Sequence, residues 1–256
     1  MFGDFKDITD FKEQCGYTID DVWYPRVTKI VSIKAKPALY YYYGEAKSYK
    51  AAQEITEQSA KEGTMIHEAV EGLLLGSNPE IPDQIAPAVR SFSEFFEKNN
   101  ITVTPDCVER RIVNYDHRYA GTVDAIALIG GKLGVLDIKT SQAIYRDYSL
   151  QTSAYMDALK NQFKNLETRW ILRIDQVQYC NRCGARRRIK GGQEKIKIDW
   201  RNRSMKTCEH DWSPLTGDIE LQEFPSWQND FEAFLGAKKL WEWENESWLK
   251  AAGYLS

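Results

Sequence analysis

The chain has 256 residues, 43% hydrophobic and 28% charged, with a formal net charge of −3. That size suits one domain, or one domain carrying an insertion, and no apolar run approaches the roughly 20 residues of a membrane span. The opening MFGDFKDITD is too polar and acidic for a signal peptide and too poor in arginine for a transit peptide, so the expected setting is intracellular and soluble. Five cysteines, two of them in a CxxC, then favour metal ligation over disulfides.

In chain order, residues 1–20 read as a polar, loosely held lead-in. Val22 to Ile33 reads as a short extended piece that turns at Pro25 into a helix start. Pro37 suits a first helical turn, and residues 38–62 have helical composition. Within them, Tyr40 to Tyr43 cannot all face a core. They pack on the next helix or offer a stacking platform for bases. Gly63 is expected to break this helix and Thr64 to cap another that ends at Gly76. Its apolar stripe is Met65, Ile66, Ala69, Val70, Leu73 and Leu74, with His67 and Glu71 four apart on a neighbouring face. A third helix is expected from Asp83 to Lys98, burying Val89, Phe92, Phe95 and Phe96. Strands follow at Ile101 to Thr104 and at Cys107 to Asn114.

Tyr119 to Thr140 reads as two strands joined at Gly130-Gly131, a strong hairpin signal. A turn symmetric about the glycines sets Asp124 directly opposite Asp137, with Lys139 on the same face as Asp137. Paired carboxylates repel and do not persist in an apolar sheet without a cation between them, a role suited to a hard divalent metal. The strands are apolar on both faces, which marks an interior sheet of an α/β protein. Asp147 to Phe163 is an amphipathic helix that places Gln151 and Tyr155 on one stripe. Arg169 to Val177 and Asp218 to Phe224 are strands, and Ser226 can cap a final helix rich in Phe and Trp.

Between those strands lies a basic insertion. From Cys180 to Cys208 it carries ten Lys/Arg and two acids, while the rest of the chain sums to −11. Such local charge suggests a polyanion partner or, more plainly, a solvated loop. Cys180, Cys183, Cys208 and His210 supply four ligands of the type that holds tetrahedral zinc; free thiols are the alternative. The insertion has too little core to fold alone, so zinc would substitute for one. Arg186, Arg187, Arg188 and Lys190 are its candidate phosphate contacts. Trp200 and Trp212 pack on the zinc site in preference to stacking on bases.

Asp137-Ile138-Lys139, preceded by Gly121-Thr122-Val123-Asp124, resembles the PD-(D/E)xK nuclease signature. Gly63 to Glu68 is similar to the histidine-bearing helix of the RecB-like branch, and Gln151 to Tyr155 to its Q-x-x-x-Y helix. Val27-Thr28-Lys29-Ile30 resembles a V-T-x-I segment of the mitochondrial genome maintenance exonuclease group and its phage and bacterial relatives. The resemblance spans roughly residues 25–175 and departs from the usual pattern in having Asp137 where Glu is commoner. It implies a restriction-endonuclease-like core, a mixed central sheet flanked by helices, over residues 21–177. Residues 178–216 would be the zinc-binding insertion, and 217–256 the final core strand and C-terminal helix.

On site residues, the resemblance implies that His67, Asp124, Asp137 and the Ile138 carbonyl hold Mg²⁺ or Mn²⁺. Lys139 would be the catalytic lysine, Gln151 and Tyr155 would steady it, and Thr28 and Lys29 would touch DNA. Glu68 and Glu71 point outward or stand near the metal. An iron–sulfur cluster that uses Cys15 is a further alternative for the cysteines. The implied activity is that of a DNA exonuclease in repair, recombination or replication-linked processing. It would act on single-stranded DNA or free ends, in the cytoplasm of a bacterial or phage-infected cell. A structure-specific or nicking endonuclease, a non-catalytic DNA-binding component and an RNA substrate stay open.

Overall fold

The computed structural model describes residues 5–36, 39, 42–44, 46–199, 201 and 203–256. Its helices are α1 (Ile8–Cys15), α2 (Val27–Val31), α3 (Tyr49–Leu74), α4 (Ala86–Lys98), α5 (Tyr148–Leu159), the short α6 (Arg203–Lys206), α7 (Gln228–Glu244) and α8 (Glu246–Ala251). The strands are β1 (Gly16–Ile19), β2 (Val22–Pro25), β3 (Thr102–Asn114), β4 (Tyr119–Ile129), β5 (Lys132–Lys139), β6 (Leu166–Tyr179), β7 (Arg186–Lys190), β8 (Gln193–Lys197) and β9 (Thr216–Glu223).

Gly130 and Gly131 have φ of 58° and 83°, the left-handed pair that a two-residue hairpin turn requires. The turn fixes the expected register, with Ile129 opposite Lys132 and Ala125 opposite Leu136. The large sheet runs β3-β4-β5-β6-β7-β8, with β9 also on β6. Only β5 and β6 pair in parallel among its strands, joined by a crossover through α5. The expected mixed α/β architecture is therefore present, with helices on both sides of the sheet. One core cluster contains Val27, Ile30, Tyr155, Phe234 and Trp241; the other contains Ile66, Val70, Val89, Phe92 and Leu172.

Several expectations need correction. Residues 5–20 are not loosely held: α1 presents Phe11 and Cys15 to the core. The Phe11 ring stacks on Trp248 at 5.6 Å, a partner more than 200 residues away in sequence. Gly63 does not break a helix, and Thr64 does not cap one. α3 passes through both without interruption, and Thr64 Oγ1 donates back to the Ala60 carbonyl. The two strands expected on either side of residue 105 are one strand, β3, whose register against β4 shifts between Val103 and Val108. Ser226 is not the cap of α7; Trp227 stands there, without a side-chain bond to the helix. Pro37, Tyr40, Tyr41 and Trp200 lie outside the described residues. Tyr42 donates to the Ala52 carbonyl, and the Tyr43 ring lies 5.4 Å from Tyr49, so this half of the tyrosine run contacts α3.

Arg169, on β6, ties the C-terminal helices to the sheet. Its side chain is 1% exposed and ion-paired with Asp230 of α7. It also donates to the carbonyls of Ser149 (2.6 Å), Phe224 (3.2 Å) and Ser226 (2.9 Å). Every donor direction of the planar guanidinium is thus used across α5, the end of β9 and α7. Removing one partner of a buried pair strands the other charge. Asp230→Ala is expected to destabilise the fold by about 3–5 kcal/mol, read as a lower denaturant midpoint with an unchanged m-value. Arg146, whose side chain is 76% exposed and also pairs with Asp230, is expected to matter little when replaced by Ala.

Candidate active site

The β4–β5 ladder stops at Ala125–Leu136. The next step would set Asp124 against Asp137. There a side chain takes over from the backbone: Asp124 Oδ2 accepts the Ile138 N–H at 2.6 Å. The sheet opens at this point on the β4 side only, because β5 stays paired with β6 through Lys139–Arg173.

Asp137 is fully buried. Its Oδ1 accepts from Lys139 Nζ at 2.8 Å and from Gln151 Nε2 at 2.9 Å. Gln151 Nε2 also donates to Tyr155 Oη at 2.9 Å, so the helical i, i+4 stripe on α5 reaches the carboxylate as a unit. Asp137 Oδ2 lies 2.7 Å from Lys139 Nζ but at an angle that makes no hydrogen bond. Lys139 also lies 5.3 Å from the centre of the Tyr148 ring.

Burial dominates the electrostatics. It pushes Asp137 up to about 6 against the pull of Lys139, and Asp124 adds to the rise. Asp124 is likewise raised by burial, which Lys139 and the Ile138 N–H only partly offset. Burial opposes the Lys139 ammonium, but Asp137 and Asp124 outweigh it and hold its pKa above the ordinary value. His67 is lowered by burial and then by Lys139, which keeps the imidazole neutral at pH 7, and it is hydrogen-bonded to the Ile138 backbone. The structure thus brings His67, Asp124, Asp137, Ile138, Lys139, Gln151 and Tyr155 into one neighbourhood.

The sequence reading missed Glu109. This residue sits beside the irregular part of β3 with φ of 46°. Although the residue is exposed, partial loss of solvation at its carboxyl, then Asp124 and Glu71, push it up to about 7. Glu71 of α3 therefore faces this acidic cluster, while Glu68 is exposed. The one sequence signal was Pro105 and Asp106, which interrupt the apolar pattern after Thr104.

α3 is placed by Gly63. A β-carbon there would come within 2.6 Å of Thr140 Oγ1, so only glycine lets the helix lie this close to the end of β5. His67 follows one turn later on the same helical face.

The donor set fits a hard divalent cation: a buried and a half-buried carboxylate, both of raised pKa, and a neutral imidazole, with Asp137 Oδ2 lacking a proper hydrogen bond. As they stand, these carboxylates are engaged by Lys139 and the Ile138 N–H. Among the described residues, the cluster whose ligand atoms are gathered closely enough to hold a metal ion is Cys180, Cys183, Cys208 and His210. Those atoms lie within 4.8 Å of one another. Cys180 Sγ is 3.8 Å from Cys208 Sγ, and Cys183 Sγ is 3.4 Å from His210 Nδ1. Trp212 packs on the cluster, its ring 4.7 Å from that of His210. Cys15 is buried in the α1 core and is absent from this cluster.

Four basic residues of the insertion are half-buried and engaged by the rest of the chain or by the insertion's neighbouring strand, while Arg182, Lys195, Lys197 and Lys206 are exposed. Arg186 pairs with Asp218, Arg187 with Glu194 and Arg188 with Asp175. Lys190 reaches the Thr140 carbonyl. The N–H of Gly191, at the tip of the β7–β8 hairpin, donates to Glu62 of α3 at 3.0 Å. The hairpin thereby walls a groove of about 560 Å³, lined also by Tyr42, Ser59, His67, Lys139 and Tyr148. Burial, then Arg188, bring Lys190 down to about 8. Thr28 and Lys29 lie on α2 and do not line this groove.

No protein-family model matches the chain, and no curated protein does. Among solved structures it is similar to a candidate exonuclease from Eubacterium rectale, at 10% identity and a TM-score of 0.45, over 100% of this chain and 88% of that one. It is also similar to LHK-Exo in complex with dAMP, at 12% identity and a TM-score of 0.35, over 91% and 95% of the two chains. At these scores the functional reading rests on the site itself. No helix of the described residues is long and apolar enough to cross a membrane.

Gly63→Ala sets two effects against each other. Alanine gains about 1 kcal/mol of helix propensity, while overpacking against Thr140 costs about 1–3 kcal/mol. The single variant is expected to melt lower than the parent, and Gly63→Ala in a Thr140→Ala background higher than Thr140→Ala alone. A double-mutant cycle by thermal denaturation reads this coupling.

Proposed function

We propose that this protein is a metal-dependent deoxyribonuclease that hydrolyses phosphodiester bonds, acting as an exonuclease in DNA repair, recombination or replication-linked processing. The observation that carries the reading is the pairing of buried Asp137 with half-buried Asp124 at the opening of the β4–β5 ladder, with Lys139 bonded to Asp137. Structural ion pairs are common, but a buried carboxylate next to a half-buried one at a split in a sheet, beside a groove, is costly unless the pair has chemical work.

Asp124, Asp137, His67 and the Ile138 carbonyl would hold Mg²⁺ or Mn²⁺, which when bound polarises a phosphoryl oxygen and lowers the pKa of a water. The chain's own groups do the rest. Lys139 is held as an ammonium, so its part is to stabilise negative charge that develops on phosphoryl oxygens and to orient the attacking water. Gln151 fixes the orientation of Asp137 and is itself fixed by Tyr155. The neutral His67 offers a ring nitrogen as a ligand. Lys190 and Lys195, which line the groove from the insertion, would meet the phosphate backbone.

Lys139→Ala and Asp137→Ala are each expected to lower cleavage of end-labelled DNA by at least about 10²–10³, with the far-UV circular dichroism unchanged. Wild-type protein that leaves single-stranded, duplex and flapped DNA uncut in Mg²⁺ and in Mn²⁺ would overturn the reading. Cleavage of a closed circle would replace exonuclease by endonuclease.

For the cysteine cluster we propose structural zinc, on the tetrahedral C-x-x-C…C-x-H donor set. Metal analysis of purified protein is expected to give one zinc per chain, lost in Cys183→Ser. The same variant is expected to become protease-sensitive within residues 178–216, since zinc replaces a core there.

A further inference from the structure

Arginines removed from solvent in this chain are generally ion-paired, as Arg169, Arg173 and Arg188 are. Half-buried Arg26 departs from this, and the exposed Arg111 shares its ring partner. Among the described residues neither forms an ion pair, and the Nε of the half-buried Arg26 has no hydrogen-bond partner. Both instead lie over the ring of Tyr17, with the Arg26 Cζ 4.5 Å and the Arg111 Cζ 4.1 Å from its centroid. Three separate elements supply this group. Tyr17 comes from β1, Arg111 from β3, and Arg26 follows β2, its backbone bridged to Ala120 of β4.

The position matters as much as the charge. Tyr17 Oη lies 3.4 Å from Thr122 Oγ1. Thr122 precedes Asp124 by two residues on β4, or about 7 Å along a strand. Burial of Tyr155, beside the Asp137 carboxylate, is accompanied by a repulsive contribution from Tyr17, which sets the two phenols close together. Two guanidiniums on one ring repel each other, and the ring faces offset only part of that. An anion offsets the rest, and planar guanidinium forks match the oxygens of a phosphate.

We propose that Arg26, Arg111 and the Tyr17 hydroxyl form a phosphate subsite, which holds a phosphate of the substrate strand next to the one attacked at Asp124 and Asp137. That the phosphate belongs to a nucleic-acid substrate rests on the nuclease reading. The group it holds is either a terminal monoester or an internal diester of the strand. The Tyr17 ring keeps both guanidiniums in place, so little side-chain entropy is lost on binding.

The test is equilibrium binding of a short single-stranded oligonucleotide, dye-labelled at its 3′ end, in buffer without added divalent metal. One form carries a 5′-phosphate and the other a 5′-hydroxyl. Arg111→Gln, at an exposed position that leaves the fold intact, is expected to weaken binding about tenfold and to reduce the salt slope by about 0.7. Arg111→Lys is expected to keep the slope and recover only part of the affinity, because it restores charge without the planar stack. Arg26→Gln is expected to behave as Arg111→Gln. A loss confined to the 5′-phosphorylated strand assigns the subsite to a terminal monoester, and an equal loss on both strands to an internal diester; either supports it. Unchanged affinity and slope in both Gln variants overturn it. Cleavage by the wild type in Mn²⁺, run alongside, separates the two readings. Binding losses in a protein that cuts no DNA leave the subsite and remove the nuclease. Normal cleavage with no binding loss does the reverse.

Discussion

A β-ladder normally satisfies each strand's N–H groups with the neighbouring backbone, and a side chain that takes over this task forces the strands apart. Asp124 does so at the Ile138 N–H. That one bond ends β4–β5 pairing, opens the sheet, and leaves Asp137 buried beside another carboxylate. The other features of the site answer the resulting charge problem. Lys139 lies against Asp137, Gln151 and Tyr155 steady the same oxygen, and a neutral His67 stands at the Ile138 backbone. The packing of Gly63 on Thr140 then fixes the distance between α3 and the strand that carries the lysine.

Charge is partitioned between the acidic centre and its surroundings. The +8 insertion would be read from composition as a phosphate-binding surface, yet Arg186, Arg187 and Arg188 spend their charge on Asp218, Glu194 and Asp175. Arg186 and Arg188 attach the insertion to the sheet, and Arg187 ties its two strands together. The basic groups that line the groove are Lys139, Lys190 and Lys195, together with Arg188, whose charge is taken up by Asp175. On another side of the acidic centre, Arg26 and Arg111 carry charge that no carboxylate neutralises among the described residues.

What could be read from the sequence was what depends on local periodicity. The Gly130-Gly131 turn sets the hairpin register, and that register aligns Asp124 with Asp137. Helical spacing alone put Gln151 with Tyr155 and His67 with Glu71. What could not be read depends on partners far along the chain. Phe11 needs Trp248, and the insertion's arginines need Asp175 and Asp218 from β6 and β9. Gly63 looked like a helix break because its composition says so, whereas its use is to let Thr140 approach. Glu109 was hidden by the irregular register of β3, which breaks the alternation used to assign faces.

The length of β6 has a mechanical consequence. This single strand of 14 residues pairs with β5 beside Lys139, with β9 along its middle, and with β7 at Gln178 and Tyr179. The insertion is therefore an extension of the central sheet's own backbone, with no break in β6 at its root. A swing of the hairpin away from the groove would have to bend β6 beyond Arg173, where it stays paired first with β9 and then with β7. Motion that widens the groove is confined to the far end, where Gly191 meets Glu62 and Lys190 meets Thr140. The entrance would open like a latch at its tip and not like a door at its frame.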